Sequence, residues 1–252
     1  MTTSGARSAI RLSPLEVPKA SDVLANELRE RILSGEFVEG TPLPPERELV
    51  VQTRMSRSTV REALRILEVQ GLIRIKAGRA GGAFVQQPRE ESVARSLELL
   101  IRGRQLRLTS IHETREAIEP ACARLAALHR MPGDLARLEA ANDALAASGS
   151  LEDFLRANVE WHVAVATAGH NEILTGVMMA MTRAIYTATH NASFVDDDVR
   201  AIALRAHRSV TRAIKERDPD AAVRRMERHV HAYAAAALQA DDRTAISLDE
   251  SD

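Results

Sequence analysis

Residues 44–85 read PPERELVVQTRMSRSTVREALRILEVQGLIRIKAGRAGGAFV, and this stretch decides the fold of the first part of the chain. Its first half predicts a short helix over residues 46–52, a turn at 53–55, and a second helix that runs to about Gln70 with Ser56 as its cap. Its second half predicts two short strands joined by a glycine-rich loop. Together these elements are typical of a winged helix-turn-helix.

The second helix of this stretch has two distinct faces. Apolar residues recur on one face at the spacing of a buried stripe, whereas arginines repeat every four residues on another. These are Val60, Ala63, Leu64 and Leu67 on the apolar face and Arg57, Arg61 and Arg65 on the basic face. Basic faces of helices are often only solvated, but the order of cap, helix, turn and glycine-rich hairpin favours DNA binding here.

The local charge supports the same interpretation. Residues 54–79 contain seven basic and two acidic side chains, a net charge of +5, while the whole chain carries only −1. Clustered Lys and Arg neutralise DNA phosphates and supply most of the non-specific affinity of DNA-binding proteins. Aromatic residues are scarce, at 3% of the chain, so a base-stacking surface for RNA is not expected.

Residues 20–85 resemble the DNA-binding domain of GntR-family bacterial transcription regulators. The matching motifs are LRERILSG at 28–35, LPPEREL at 43–49 and SRSTVREAL at 56–64. The resemblance implies DNA contacts at Arg47, Arg57, Ser58, Thr59, Arg61 and the wing residue Gly78, and we add its basic neighbour Arg79. Arg54 departs from the family, which usually has glycine at this turn. Either Arg54 adopts a left-handed backbone, or the turn is built differently.

Composition indicates an ordinary globular protein of two domains, since 45% of the 252 residues are apolar and 27% are charged. Cys122 is the single cysteine, which excludes an internal disulfide and fits a reducing cytoplasm. The sequence contains no long uncharged apolar run, so neither a membrane span nor a signal peptide is predicted. The predicted divisions are a disordered tail (1–18), a winged helix-turn-helix (19–86), a linker (87–91), a helical domain (92–240) and a disordered tail (241–252).

The helical domain has no strand-like alternation, so the fold class is mainly α, with an all-α bundle after the winged domain. Six or seven helices are expected between breaks at 109–110, 131–133, 148–150, 169–171, 191–198 and 218–220. In the winged domain, an additional first helix over residues 19–33 should pack beneath the second helix of the stretch quoted above. Its apolar face would contain Val23, Leu24, Leu28, Ile32 and Leu33.

Three histidines of the helical domain lie on three different predicted helices. His162 shares a helix face with Asn158, four residues earlier, while His207 and His229 come from later helices. Imidazoles from facing helices of a bundle can bind zinc, nickel, copper or iron, and an amide oxygen can complete such a site. Spacing alone leaves the alternative that these are hydrogen-bonded core histidines.

Residues 92–239 resemble the FCD-type ligand-binding domain of the FadR-type subgroup of GntR regulators. The matching motifs are ETREAIEP at 113–120, Trp161-His162 and AGHN at 168–171. Many members bind a divalent metal through an Asp and three His, which match Asn158, His162, His207 and His229. The resemblance thus implies a divalent metal, which we expect to be zinc or nickel. In this chain Asn158 replaces the aspartate of the site. The remaining histidines match no ligand position: His112, His129, His170, His190 and His231.

Arg115 is the other candidate in the helical domain. Its spacing from Glu119, four residues later, also fits an exposed ion pair within one helix. In the resembling domain the matching arginine lines the effector cavity, and a guanidinium recognises carboxylates. A small carboxylate or acyl effector between Arg115 and the metal is therefore expected.

The sequence as a whole predicts a cytoplasmic, non-enzymatic transcription regulator, in particular a repressor that binds palindromic double-stranded DNA as a homodimer. A second interpretation is a metal-dependent hydrolase in which Glu160 or Glu227 serves as base. It lacks support, because no HExxH motif, nucleophile elbow or phosphate loop is present. A third is a helical interaction protein that uses residues 221–238 only for assembly, which leaves the basic hairpin unexplained.

Overall fold

The chain divides after Pro88, within the predicted linker, into two compact units. We call residues 1–88 the winged unit and residues 89–252 the helical unit. This computed structural model describes residues 17–78, 81–88, 94, 97, 100–101, 106–191, 194–240, 243 and 245–246. Among these residues, no helix is long and apolar enough to span a membrane.

The winged unit contains three helices followed by a two-stranded sheet. In chain order these are α1 (Ala20–Leu33), α2 (Glu46–Thr53), α3 (Arg57–Val69), β1 (Ile73–Lys76) and β2 (Gly82–Val85). The strands are antiparallel, with Ile73 opposite Val85 and Lys76 opposite Gly82. Residues 40–43 run beside β2 and exchange backbone hydrogen bonds with Val85 and Ala83. The predicted winged helix-turn-helix is therefore confirmed.

Burial in the winged unit follows the predicted apolar stripe of α3. Val60, Ala63, Leu64 and Leu67 are all at most 4% exposed, and they pack against Leu24, Leu28 and Ile32 of α1. The prediction for α1 was wrong at two positions, because Val23 is 48% and Leu33 51% exposed. The core contacts only a narrow stripe of α1, so the flanking positions of its apolar face remain in solvent.

Arg54 and the wing show where the backbone of this unit is constrained. Arg54 has φ of 56°, so this non-glycine residue does adopt the left-handed conformation between α2 and α3. Gly78 has φ of 105°, a conformation that side-chain-bearing residues rarely adopt. A Cβ at Gly81 would collide with the backbone oxygens of Lys76 and Gly78, so the wing turn requires glycine there.

The helical unit contains six helices among the residues that the structure describes over positions 106–240. They are α4 (Leu108–His129), α5 (Pro132–Ala146), α6 (Leu151–Ala168), α7 (Glu172–Thr189), α8 (Asp197–Glu216) and α9 (Pro219–Ala240). Side chains cap several of their N-termini, including Ser150 before α6, Asn171 before α7 and Asp196 before α8. The predicted all-α bundle is confirmed, and Cys122 lies in its core at 2% exposure.

Two local predictions for the helical unit were wrong. The break expected at Thr109 and Ser110 lies before residue 108, since both residues belong to the first turn of α4, where hydroxyl side chains are well tolerated. The stretch 241–252 was predicted to be disordered, but Ala245–Ile246 forms a short strand, β4. It pairs with β3 (Leu106–Arg107) just before α4, and no sequence pattern indicated this two-residue pairing.

Candidate functional site

The polar side chains at the N-terminal turn of α3 are exposed or half-buried and make local hydrogen bonds. Ser56 caps the helix by accepting the backbone N–H of Thr59 at 3.1 Å, and its Oγ also lies 2.8 Å from the hydroxyls of Ser58 and Thr59. Arg57 and Ser58 are exposed, while Thr59 is half-buried. In helix-turn-helix proteins, residues at the start of the reader helix face base edges in the major groove.

The other predicted DNA-binding residues flank this turn. Arg61 is exposed and donates from Nε to Glu46 Oε2 at 2.8 Å, which ties α3 to the start of α2. Arg47 is exposed on α2. Gly78 lies in the turn of the wing, and Arg79 lies outside the described residues. Lys76 extends over the ring of Phe84, 4.7 Å from its centroid, and this contact holds a positive charge on the wing.

The helical unit brings its three predicted histidines into one buried cluster. His162 on α6, His207 on α8 and His229 on α9 each offer a ring nitrogen, and these nitrogens lie within 4.8 Å of one another. His207 Nε2 and His229 Nε2 are 3.1 Å apart. Exposure is 2%, 0% and 8% respectively, so the cluster is closed to bulk water except near His229. We call these residues the histidine cluster.

A buried ion pair lies against the histidine cluster. Arg115 Nε donates to Glu119 Oε1 at 2.6 Å, and Arg115 Nη2 lies 3.0 Å from His162 Nε2. The alternative that Arg115 and Glu119 form an exposed pair is wrong, because their side chains are only 4% and 2% exposed. A guanidinium can only donate, so His162 Nε2 must be unprotonated. The proton of His162 then lies on Nδ1, which is 2.6 Å from Glu119 Oε2 in an imperfectly aligned contact.

Burial sets the protonation of these groups. It lowers the pKa of His162, lowers that of His207 well below its usual value, and lowers that of His229 to about 3. Burial alone would raise the pKa of Glu119, but Arg115 and His162 together outweigh burial and hold this pKa well below the usual range. The site therefore combines neutral imidazoles with an ionised carboxylate, and neutral imidazole is the form that binds metals.

Trp161 positions the histidine cluster, although the sequence indicated it only as a family landmark. Its ring stacks on His207, with centroids 3.7 Å apart and planes 7° from parallel. Its Nε1 donates to Thr211 Oγ1 at 3.1 Å, and Thr211 also accepts from Asn142 Nδ2 at 2.9 Å. Asn142, Trp161 and Thr211 thus fix the orientation of His207. The only available signal was the adjacency of Trp161 to His162.

The remaining polar candidates take different positions. Asn158 is buried at 7% exposure, one turn before His162 on α6. The two carboxylates of the hydrolase interpretation, Glu160 and Glu227, are both exposed and thus do not join the buried cluster. His170 and His231 contact carboxylates elsewhere, at 2.7 Å from Asp134 and 2.9 Å from Glu116.

A groove between α8 and α9 reaches one member of the histidine cluster. Its volume is about 360 Å³, and His229 is one of its lining residues. The described lining contains two arginines and no carboxylate. Arg225, at one side, donates from Nη1 to the backbone oxygen of Ser209 at 2.6 Å and so links the two helices. We call this cavity the α8–α9 groove.

Two family models match the two units. Residues 20–85 match the bacterial regulatory proteins of the gntR family, and residues 110–232 match the FCD domain. The galactonate operon transcriptional repressor of Escherichia coli K12 is 32% identical over 209 residues, which cover 80% of this chain and 90% of the relative. The transcriptional repressor NanR of Cronobacter sakazakii is 30% identical over 225 residues, covering 86% and 85%.

A solved structure shares the fold. The GntR protein of Streptococcus agalactiae superimposes with a TM-score of 0.61 at 23% identity, over 85% of this chain and 99% of that one. Matches to both family models and to relatives along nearly their full length agree with the two units described above. The chain therefore belongs to the GntR family of transcription regulators and carries an FCD domain after its DNA-binding domain.

Proposed function

We propose that this protein is a transcription repressor of the FadR-type subgroup whose operator binding is controlled by a small organic acid or acyl compound bound in the helical unit. The observation that carries the proposal is the buried histidine cluster, with the guanidinium of Arg115 3.0 Å from one of its ring nitrogens. Buried titratable groups around a positive charge are typical of a ligand site. The proposed setting is the bacterial cytoplasm.

The donor set fits a divalent metal, zinc or nickel. His162, His207 and His229 are neutral, and Asn158 adds an amide oxygen on the same helix face as His162. Glu119 lies against Nδ1 of His162, as a carboxylate commonly does behind a metal-binding histidine. A metal bound there would supply a positive charge that attracts carboxylates, and the neutral Asn158 would leave that charge less compensated than an aspartate would.

Arg115 provides the second anchor for the effector. Glu119 holds its Nε, while Nη2 donates to the His162 nitrogen that a metal would take, so metal binding would free Nη2 for a carboxylate. A carboxylate bound at the cluster would thus lie within reach of a fixed guanidinium, which favours bidentate recognition. Its burial strengthens this interaction, because no bulk water competes for it.

The winged unit supplies the DNA-binding function. Arg57, Ser58 and Thr59 would read bases, Arg47 and Arg61 would hold the reader helix on the backbone, and Gly78 and Arg79 would bring the wing close to DNA. One short reader helix covers too few base pairs for useful specificity, which favours a two-fold dimer on a palindrome. Two relatives are named as repressors, and this supports repression.

The proposal can be tested with full-length protein and DNA selected from a random pool. We expect the selected sequences to be palindromic, to bind a dimer, and to be released when a carboxylate binds metal-loaded protein. Elemental analysis of the purified protein measures metal binding. Mobility shifts with and without zinc measure the control of operator binding separately. Selected DNA without two-fold symmetry would contradict the operator model, and failure to take up zinc, nickel or manganese would remove the metal.

A further inference from the structure

We infer that the effector is a compact carboxylic acid with an apolar aliphatic or aromatic body, rather than a polyhydroxy acid. This inference rests on the proposed function, because it places the carboxylate at the histidine cluster and the remainder of the molecule in the α8–α9 groove. His229 belongs to both places, since it is a member of the cluster and lines the groove. A ligand held by its carboxylate at the cluster therefore extends past His229 into the groove.

Tyr233 is a second residue that links the proposed carboxylate anchor to the α8–α9 groove. It lines the groove, and its ring centroid lies 5.9 Å from the guanidinium carbon of Arg115. Phe194 packs edge to face against Tyr233 with centroids 5.6 Å apart, and it also lines the groove. The aromatic wall thus begins beside the proposed carboxylate anchor and continues along the path of the ligand.

The remaining lining is mostly aliphatic. Along α8 it includes Val199 and Ala206, and along α9 it includes Ala232. The two lining arginines differ, since Arg225 is tied to the backbone of Ser209 and Arg228 is exposed. An apolar ligand body buries its surface against the valine and alanine side chains.

A polyhydroxy body would be poorly accommodated in the same position. Each hydroxyl group that enters an apolar cavity without a partner loses its hydrogen bonds to water. The described lining offers hydrogen-bonding side chains only at Ser209, Arg225, Arg228, His229 and Tyr233, whereas its other seven residues are apolar. The relative named for a galactonate operon therefore need not share its effector chemistry with this chain.

The volume of the groove limits the size of the ligand. Its volume of about 360 Å³ lies near the lower end of the range of ligand pockets, about 300–1,000 Å³. A short-chain or single-ring acid fits such a space, whereas a nucleotide-linked thioester would extend far into solvent.

Calorimetric titration of zinc-loaded full-length protein tests the inference with two ligand comparisons. Hexanoate and gluconate share a six-carbon chain and a carboxylate but differ in hydroxylation, and we expect hexanoate to bind at least tenfold more tightly. Along acetate, butyrate and hexanoate, affinity should rise about three- to fourfold for each added methylene that enters the groove. Gluconate binding as tightly as hexanoate, or a flat series, would overturn the inference.

A pair of alanine variants tests the location. Ala232→Phe fills the groove from an exposed position on α9, whereas Ala235→Phe adds the same ring at an exposed position outside the described lining. We expect Ala232→Phe to reduce hexanoate affinity to that of acetate, and Ala235→Phe to leave both unchanged. Equal loss in both variants, or no loss in Ala232→Phe, would contradict the groove as the binding place.

The two proposals can fail separately. Zinc-dependent binding of acetate together with a flat chain-length series would leave the metal and Arg115 as the anchor and overturn only the apolar body. Absence of binding by every acid would overturn the proposed effector control and this inference with it.

Discussion

Each unit of the molecule contains an arginine–carboxylate pair of nearly the same length, and the two pairs differ mainly in their surroundings. In the winged unit Arg61 Nε lies 2.8 Å from Glu46, with side chains 70% and 43% exposed. In the helical unit Arg115 Nε lies 2.6 Å from Glu119, with side chains 4% and 2% exposed. Water and salt screen the first pair, so Arg61 can exchange its partner for a phosphate.

The second pair cannot exchange partners in this way. Its charges have left water, and each is stabilised mainly by the other. Arg115 is consequently a fixed cation whose Nη2 contacts the histidine cluster. In the proposed function, the winged unit would recognise DNA with adaptable surface charges, whereas the helical unit would recognise a ligand with charges set in place by folding.

The largest expected effect comes from breaking the buried pair. Glu119→Gln leaves the charge of Arg115 without its counterion and should reduce the free energy of unfolding by about 3–5 kcal/mol. The matched change in the exposed pair, Glu46→Gln, should reduce the free energy of unfolding by less than about 1 kcal/mol. Urea unfolding followed by circular dichroism measures both. Equal costs for the two variants would mean that burial does not distinguish the pairs.

Loss of a cluster histidine should abolish metal binding with less effect on folding. His207→Ala removes one of three imidazoles, and we expect zinc affinity to fall by more than about a hundredfold, beyond what outer partners of a metal site usually contribute. Zinc content after dialysis provides the measurement. His190→Ala, a change at an exposed histidine outside the cluster, is the control and should retain the metal.

On the DNA side, Arg57→Ala should weaken operator binding without changing stability. A bidentate arginine–guanine contact contributes about 1–3 kcal/mol of discrimination, which corresponds to roughly fivefold to 150-fold in affinity. Mobility shifts on selected operator DNA measure it. Arg205→Ala, an exposed arginine of the helical unit, should bind like the parent protein. Parent-like binding by Arg57→Ala would remove Arg57 from the DNA interface.

The smallest expected effect concerns backbone strain. Arg54 and Arg217 both adopt a left-handed conformation, with φ of 56° and 55°. Arg54→Gly should relieve about 1 kcal/mol of strain and raise the melting temperature of the winged unit. Arg217→Gly should gain nothing overall, because Arg217 also donates to the backbone oxygens of Leu128 and Arg130 at 3.0 Å. A lower melting temperature for Arg54→Gly would reveal a structural role of its side chain.

The fold was largely predictable because its signals are local. The cap at Ser56, the apolar stripe of α3 and the glycines of the wing each act within a few residues, and the structure agrees with them. The failures at Val23, Leu33 and Ala245–Ile246 concern how far a core extends and which distant segments pair. Those properties depend on tertiary packing, which the periodicity of apolar residues in the sequence does not indicate.

The candidate site was predictable in its members but not in its arrangement. The resemblance to the FCD-type domain supplied His162, His207 and His229, because spacing alone could not separate ligands from core histidines. Nothing in the sequence indicated that Glu119 is buried against His162, or that Trp161 lies parallel to His207. Both facts arise from the crossing of α4, α6 and α8, which brings together residues far apart in the chain.

The stacking of Trp161 on His207 has a practical consequence. Trp161 is the single tryptophan of the chain, and its centroid lies 3.7 Å from that of a histidine in the cluster. All of the tryptophan emission of the native protein therefore originates at this site. A quenching ion such as nickel bound there would dim that emission, and a ligand displacing His207 would shift its wavelength. The protein thus carries an intrinsic optical reporter of binding at the histidine cluster, readable without any label.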